Sequence, residues 1–119
     1  TRDISDALKR RCLHLYIPFP TTELEERIVR SRVPDVDEDL RMQIVNFVHS
    51  LRQLDLKKVP AISETIDWAR SLLLLHAEQL DESVVRSTLN VLLKFQDDIE
   101  ATEPELRSLL NPPKSGAAG

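Results

Sequence analysis

The residues best suited to chemistry are three consecutive cations, Lys9-Arg10-Arg11, followed directly by the single cysteine, Cys12. A guanidinium is a planar fork of N–H donors that matches carboxylate and phosphate oxygens. An arginine fixed at the edge of a subunit can therefore stabilise charge on a phosphate held by a neighbour. The same triplet also reads as a helix C-terminus, where cations complement the dipole and cap free carbonyls. Both readings stay open on these residues alone. The other reactive side chains form no constellation. His14, His49 and His76 do not stand at metal-ligand spacing with one another or with Cys12. Both glycines, Gly116 and Gly119, fall at the end of the chain, so no glycine-rich phosphate loop is present.

The elements that would position the cations are short. Asp3 suits an N-cap, and Ile4 and Leu8 lie one helical turn apart, which predicts a helix ending near Arg11. From Cys12 the pattern changes to period two, with Leu13, Leu15 and Ile17 on one face and Cys12, His14 and Tyr16 on the other. That is a strand, ended by Pro18 and Pro20. No other stretch reads as a strand, and a lone strand cannot satisfy its backbone donors and acceptors. The expectation is therefore a chain cut inside a larger domain, with the rest of the sheet elsewhere.

Helices follow. Thr22 and Glu25 form a capping box for a helix to about Arg32, with Leu24, Ile28 and the stem of Arg32 on one side. Pro34 breaks it. A second helix is predicted from Asp37 to Leu54, with Leu40, Ile44, Phe47, Val48, Leu51 and Leu54 as its buried stripe. Arg41, Gln43, Asn46 and Arg52 mark its solvated side. Ser63 is the expected cap of a third helix carrying Ile66, Ala69, Leu72, Leu73 and His76 inward, with Trp68 as a core or interface aromatic. Asp81 caps a fourth, with Val84, Val85, Thr88, Leu92, Phe95 and Ile99 inward. Thr102 and Pro104 open a last short helix to Leu110. Residues 111–119 have the composition of a disordered tail. The Glu25-Glu26-Arg27 and Glu103-Glu105 charges read as solvated faces.

The fold class expected is all-α. It is a small antiparallel helical bundle preceded by a short helix and one strand left over from a truncated α/β core. With 119 residues, 41% hydrophobic and 30% charged, the chain has a globular composition. A net charge of −4 argues against a nucleic-acid-binding module. One cysteine suits a reducing compartment, hence a cytoplasmic expectation. The longest apolar run, Leu72 to Leu75, is too short for a membrane span.

The segment Asp6-Ala-Leu-Lys-Arg-Arg-Cys12, with the strand to Pro20, resembles the region after the sensor-1 strand of AAA+ ATPases. More narrowly it is similar to the MoxR family, in the branch associated with carbon monoxide dehydrogenase maturation and von Willebrand factor A partners. Ser63-Glu-Thr-Ile-Asp-Trp-Ala-Arg70 and Val85-Arg-Ser-Thr-Leu-Asn-Val-Leu-Leu-Lys94 resemble that branch's helical lid. The resemblance implies three units: residues 1–20 as the end of the ATPase core, 21–110 as the lid, and 111–119 as a tail. It implies Arg11, with Arg10 as the alternative, as an arginine finger acting at a neighbouring subunit's ATP. It further implies ATP and Mg in the full-length parent, neither bound by this fragment alone. The implied partners are other copies in a ring, usually hexameric, a von Willebrand factor A domain protein, and a client enzyme that is remodelled or matured. Thr65 stands where the family commonly places a sensor-2 arginine, so no sensor-2 residue is assigned. Two other readings remain: a non-enzymatic helical interaction module, and a clamp-loader-like AAA+ protein.

Overall fold

The computed structural model describes residues 19–110. The expected strand over Cys12 to Ile17, the cations Arg10 and Arg11, and the tail 111–119 lie outside the described residues. No strand occurs among the described residues, whose regular elements are all helical. They are α1 (Thr22–Arg32), α2 (Glu38–Leu51), α3 (Ile62–Leu74), α4 (Glu82–Leu92), α5 (Gln96–Thr102), a 3₁₀ turn (Glu103–Glu105) and α6 (Leu106–Leu110). The all-α expectation therefore holds for this part of the chain.

Helix starts follow local chemistry, with shifts of register. Thr21, not Thr22, caps α1, its hydroxyl accepting from Leu24 N–H at 3.2 Å. Asp37 and Asp81 cap α2 and α4, accepting from Asp39 and Val84 N–H at 3.1 and 2.8 Å. Ser63 is not the cap of α3. Its cap lies two residues earlier at Ala61, which has no side-chain acceptor, and Glu64 reaches back to accept from Ala61 N–H at 2.9 Å. Helix α2 stops at Leu51 rather than Leu54, because the chain tightens into i→i+3 bonds from Gln53 and Leu54 to the carbonyls of Ser50 and Leu51.

The expected fourth helix is two. Leu93 turns extended (φ −114°, ψ 131°) and Phe95 caps α5. Leu92 and Leu93 are both buried. Successive positions on one helix point about 100° apart, so breaking out of the helix lets both leucines face the core. Phe95, expected inside, is left 46% exposed. Asp98 then sits buried and accepts from the backbone N–H groups of Lys57 and Lys58 at 2.8 and 3.1 Å, tying α5 to the α2–α3 connection.

The core gathers Val29, Ile44, Val48, Leu51, Leu56, Leu72, Val85, Leu89 and Leu106 around Trp68. Trp68 stacks tilted on Phe47, ring centroids 5.3 Å apart. Its indole N–H donates to the Thr88 hydroxyl at 2.7 Å, which in turn donates to the Val84 carbonyl at 2.8 Å. An interior tryptophan is thereby fully paired.

Helix α3 ends in a Schellman turn. Ala77 N–H bonds Leu72 C=O and His76 N–H bonds Leu73 C=O, both at 3.0 Å, and His76 takes the left-handed conformation at φ 58°. His76 is therefore neither a core residue nor a member of the buried stripe; it is exposed. A non-glycine residue there carries a steric penalty that glycine lacks. His76→Gly should raise unfolding stability by about 0.5–1 kcal/mol, read from the urea midpoint at unchanged slope. A lower midpoint would show that the His76 side chain makes a compensating contact.

Candidate functional site

The least ordinary cluster begins with α1. Its inner face is not Leu24 and Ile28: Leu24 is 43% exposed, and the buried positions are Glu25 and Val29, followed by Val33. The helix is turned so that a carboxylate, Glu25, enters the interior with no solvent exposure. Arg52, immediately after α2, meets it there. Its Nη1 and Nη2 donate to Glu25 Oε1 and Oε2 at 2.7 and 2.9 Å, a bidentate pair. Arg52 Nε donates to the Pro60 carbonyl at 2.8 Å, and the Phe19 ring lies 4.4 Å from the guanidinium carbon. His49 Nε2 is 2.9 Å from Glu25 Oε1, and the buried Thr65 hydroxyl faces the same carboxylate. Five segments of the chain thus converge on one charge pair.

Burial pushes the Glu25 carboxyl up. The Arg52 hydrogen bonds and charge, with smaller help from Thr65 and His49, outweigh it and hold the group below its ordinary value of 4.5. A second buried cation, Arg41, bonds Glu26 through Nε and donates from Nη1 to the Val36 carbonyl at 3.1 Å. Gln43, half-buried, accepts from Leu80 N–H at 2.9 Å. So of the four residues expected on the solvated side of α2, Asn46 alone is exposed. Sequence periodicity misassigned Glu25, Arg41 and Arg52 because it counts charge as exterior. One signal was available: Glu25 and Arg52 have opposite signs and each stands one helical turn from a core valine, Val29 and Val48.

Beside the pair opens a cleft of about 380 Å³ lined by Phe19, Pro20, His49, Arg52, Gln53 and Val59. Its lining is mixed: His49, Arg52 and Gln53 are polar, and Phe19, Pro20 and Val59 are apolar. The cleft can hold a small flat group with acceptors along one edge. The described residues contain no cluster of His, Cys, Asp and Glu able to hold a metal ion, and no helix among them is long and apolar enough to cross a membrane. Thr65 is buried and Glu64 is engaged at Ala61, so neither is presented to a ligand. Arg10 and Arg11 lie outside the described residues, and the site described here is a different one. No protein-family model, no curated protein and no solved structure matches the chain.

Breaking the pair from one side should be costly. Glu25→Gln strands a buried guanidinium and should lower stability by about 3–5 kcal/mol at neutral pH, whereas joint Glu25→Leu and Arg52→Met should lose much less. Because the folded-state pKa is depressed, the stability it contributes is present above the unfolded value of 4.5 and lost as pH falls through the folded value. Urea titrations from neutral pH downward should therefore show the gap between wild type and Glu25→Gln narrowing below about pH 4.5. A gap independent of pH would remove Glu25 as the titrating group.

Proposed function

We infer that the chain is the lid portion of a MoxR-type AAA+ ATPase, which hydrolyses ATP in a ring to remodel or mature a partner enzyme in the cytoplasm. The observation that carries this reading is the run Asp6-Ala-Leu-Lys-Arg-Arg-Cys12 placed directly before an all-helical unit that begins at Thr22. In this reading residues 1–20 are the last part of the ATPase core and 21–110 the lid. Arg11 is the finger directed at a neighbour's γ-phosphate, and Arg10 is its alternative. A rigid helix end would hold such a cation, and a bidentate guanidinium suits the charge that spreads over the transferred phosphoryl oxygens.

The cleft at Phe19, Pro20, His49, Arg52, Gln53 and Val59 opens where the core segment joins the lid. The Phe19 ring offers a surface for stacking and the His49 and Gln53 side chains offer hydrogen bonds, which suits the base of a nucleotide. A triphosphate with Mg does not fit the residues described: they offer neither a metal-holding cluster nor, in the whole sequence, a glycine-rich loop. The phosphates and metal are accordingly left to the nucleotide-binding motifs of the parent, and no step is derived through them. A ring of like subunits, a von Willebrand factor A domain protein and a client enzyme are the partners the resemblance supplies.

A non-enzymatic interaction module is the second reading, favoured by Leu74 and Leu75 at 80% and 57% exposure beside the His76 turn. The two separate in one assay. The purified 119-residue chain should hydrolyse no ATP. In the full-length protein, Arg11→Ala should reduce turnover by about 10³–10⁵-fold while nucleotide binding and assembly persist. Wild-type turnover in Arg11→Ala with an intact ring would transfer the role to Arg10. The same result in both single variants and in the double variant would end the finger assignment.

A further inference from the structure

We propose that the outward face of α1 binds an acidic amphipathic helix of another protein. The face follows from the rotation that buries Glu25. Turning that carboxylate inward leaves Leu24 outward, and with the half-buried Ile28 it floors a groove of about 280 Å³ lined also by Arg27, Ser31 and Arg32. With successive residues about 100° apart, positions 24, 28 and 31 share one side of the helix. Arg27 falls on one flank of that strip and Arg32 on the other, so both charges lining the groove are positive. Arg41, Arg52, Arg70 and Arg86 each face a carboxylate, whereas Arg27 and Arg32 are exposed and make no ion pair with a described residue. The carboxylates of α1 are engaged elsewhere: Glu23 accepts from the Thr22 hydroxyl at 3.3 Å, Glu25 holds Arg52 and Glu26 holds Arg41.

The two flanks decide what fits. An aliphatic strip bordered on both sides by cations is one half of a helix–helix seam; its partner brings aliphatic side chains to the strip and carboxylates to the rims. Leu24 and Ile28 lie about 6 Å apart along the axis, the spacing at which a second helix presents successive inward side chains. Carboxylates meet guanidinium forks through paired hydrogen bonds, so an acidic rim gains direction as well as attraction. Two copies meeting through this face would set arginine against arginine. The chain's own outer segments fit no better: residues 1–18 carry Arg2, Lys9, Arg10 and Arg11 against Asp3 and Asp6, and residues 111–119 carry Lys114 and no acidic side chain. An anionic bilayer has the right charge but rewards apolar side chains that project, and here Ile28 is half-buried and the strip is recessed. An acidic helix from a different protein meets every one of these conditions. An interface this small is weak and salt-sensitive. The inference does not rest on the ATPase reading and survives its failure.

Fluorescence anisotropy of labelled synthetic helices with the 119-residue chain tests it. One probe of about 20 residues carries a heptad stripe of leucines with glutamate on both flanks, and its twin carries lysine in place of glutamate. The glutamate probe should bind saturably at about 0.05 M salt and about tenfold more weakly at about 0.5 M. The lysine probe should not bind. Arg27→Glu with Arg32→Glu should lose the glutamate probe and gain the lysine probe, with helix content unchanged by circular dichroism. Leu24→Ser should weaken binding about tenfold with no change in charge. Arg30→Glu makes the same change of charge outside the groove and should weaken binding less than Arg27→Glu alone. No saturable binding of the glutamate probe, equal binding of both probes, equal losses from Arg27→Glu and Arg30→Glu, or an unaffected Leu24→Ser would each overturn the proposal. Self-association that Leu24→Ser abolishes would give the face to a second copy instead. Binding to phosphatidylserine vesicles without binding of the probe would give it to a membrane, and either result overturns the proposal as well.

Discussion

The fold turns on one charge pair withdrawn from water. Glu25 and Arg52 are 27 positions apart, and both are buried. Removing two such ions from solvent is expensive unless nearly every donor and acceptor is satisfied. Here the carboxylate receives both guanidinium nitrogens and lies against His49 and Thr65, while the third arginine nitrogen finds Pro60 C=O. The pair acts on register more than on depth of stability. Rotating α1 by one residue would swing Glu25 about 100° toward solvent and leave the buried Arg52 without its counter-charge. Leu24 and Ile28 would gain cover from that rotation, but two half-exposed aliphatics cannot offset a stranded cation. The apolar surplus on the outside of α1 is therefore a consequence of the ion pair on its inside.

Much of the helical framework was legible in the sequence, and the reasons are local. Asp37 and Asp81 cap where an acidic residue precedes an amphipathic run, and α2 declares itself through Leu40, Ile44, Phe47, Val48 and Leu51. What escaped depends on contacts between distant residues. Nothing near Leu93 shows that the chain must leave its helix there. The break is useful because Asp98 must reach the amides of Lys57 and Lys58, about 40 positions earlier. Ser63 is a better cap by type than Ala61, yet Glu64 supplies the missing acceptor from inside the helix. His76 offered no warning of its left-handed backbone, since glycine or asparagine is the usual marker.

For the candidate site, the sequence pointed to Arg10 and Arg11, and the described residues draw attention to Glu25, His49 and Arg52 instead. The two are related by position in the chain. Phe19 lines the cleft with its ring against the Arg52 guanidinium, a cation over an aromatic ring that holds the start of the described chain on the bundle.

The joint at Asp98 has an asymmetry in how it is written into the chain. One carboxylate holds two amides, and those amides belong to the backbone rather than to the lysines that bear them. Any residue but proline supplies the same donor at either place. The coupling between the second half of the bundle and the connection after α2 is thus encoded at a single codon, the one for residue 98. The identities at 57 and 58 are free to answer to other demands, such as the contact of Lys57 with Asp97 and the Phe95 ring.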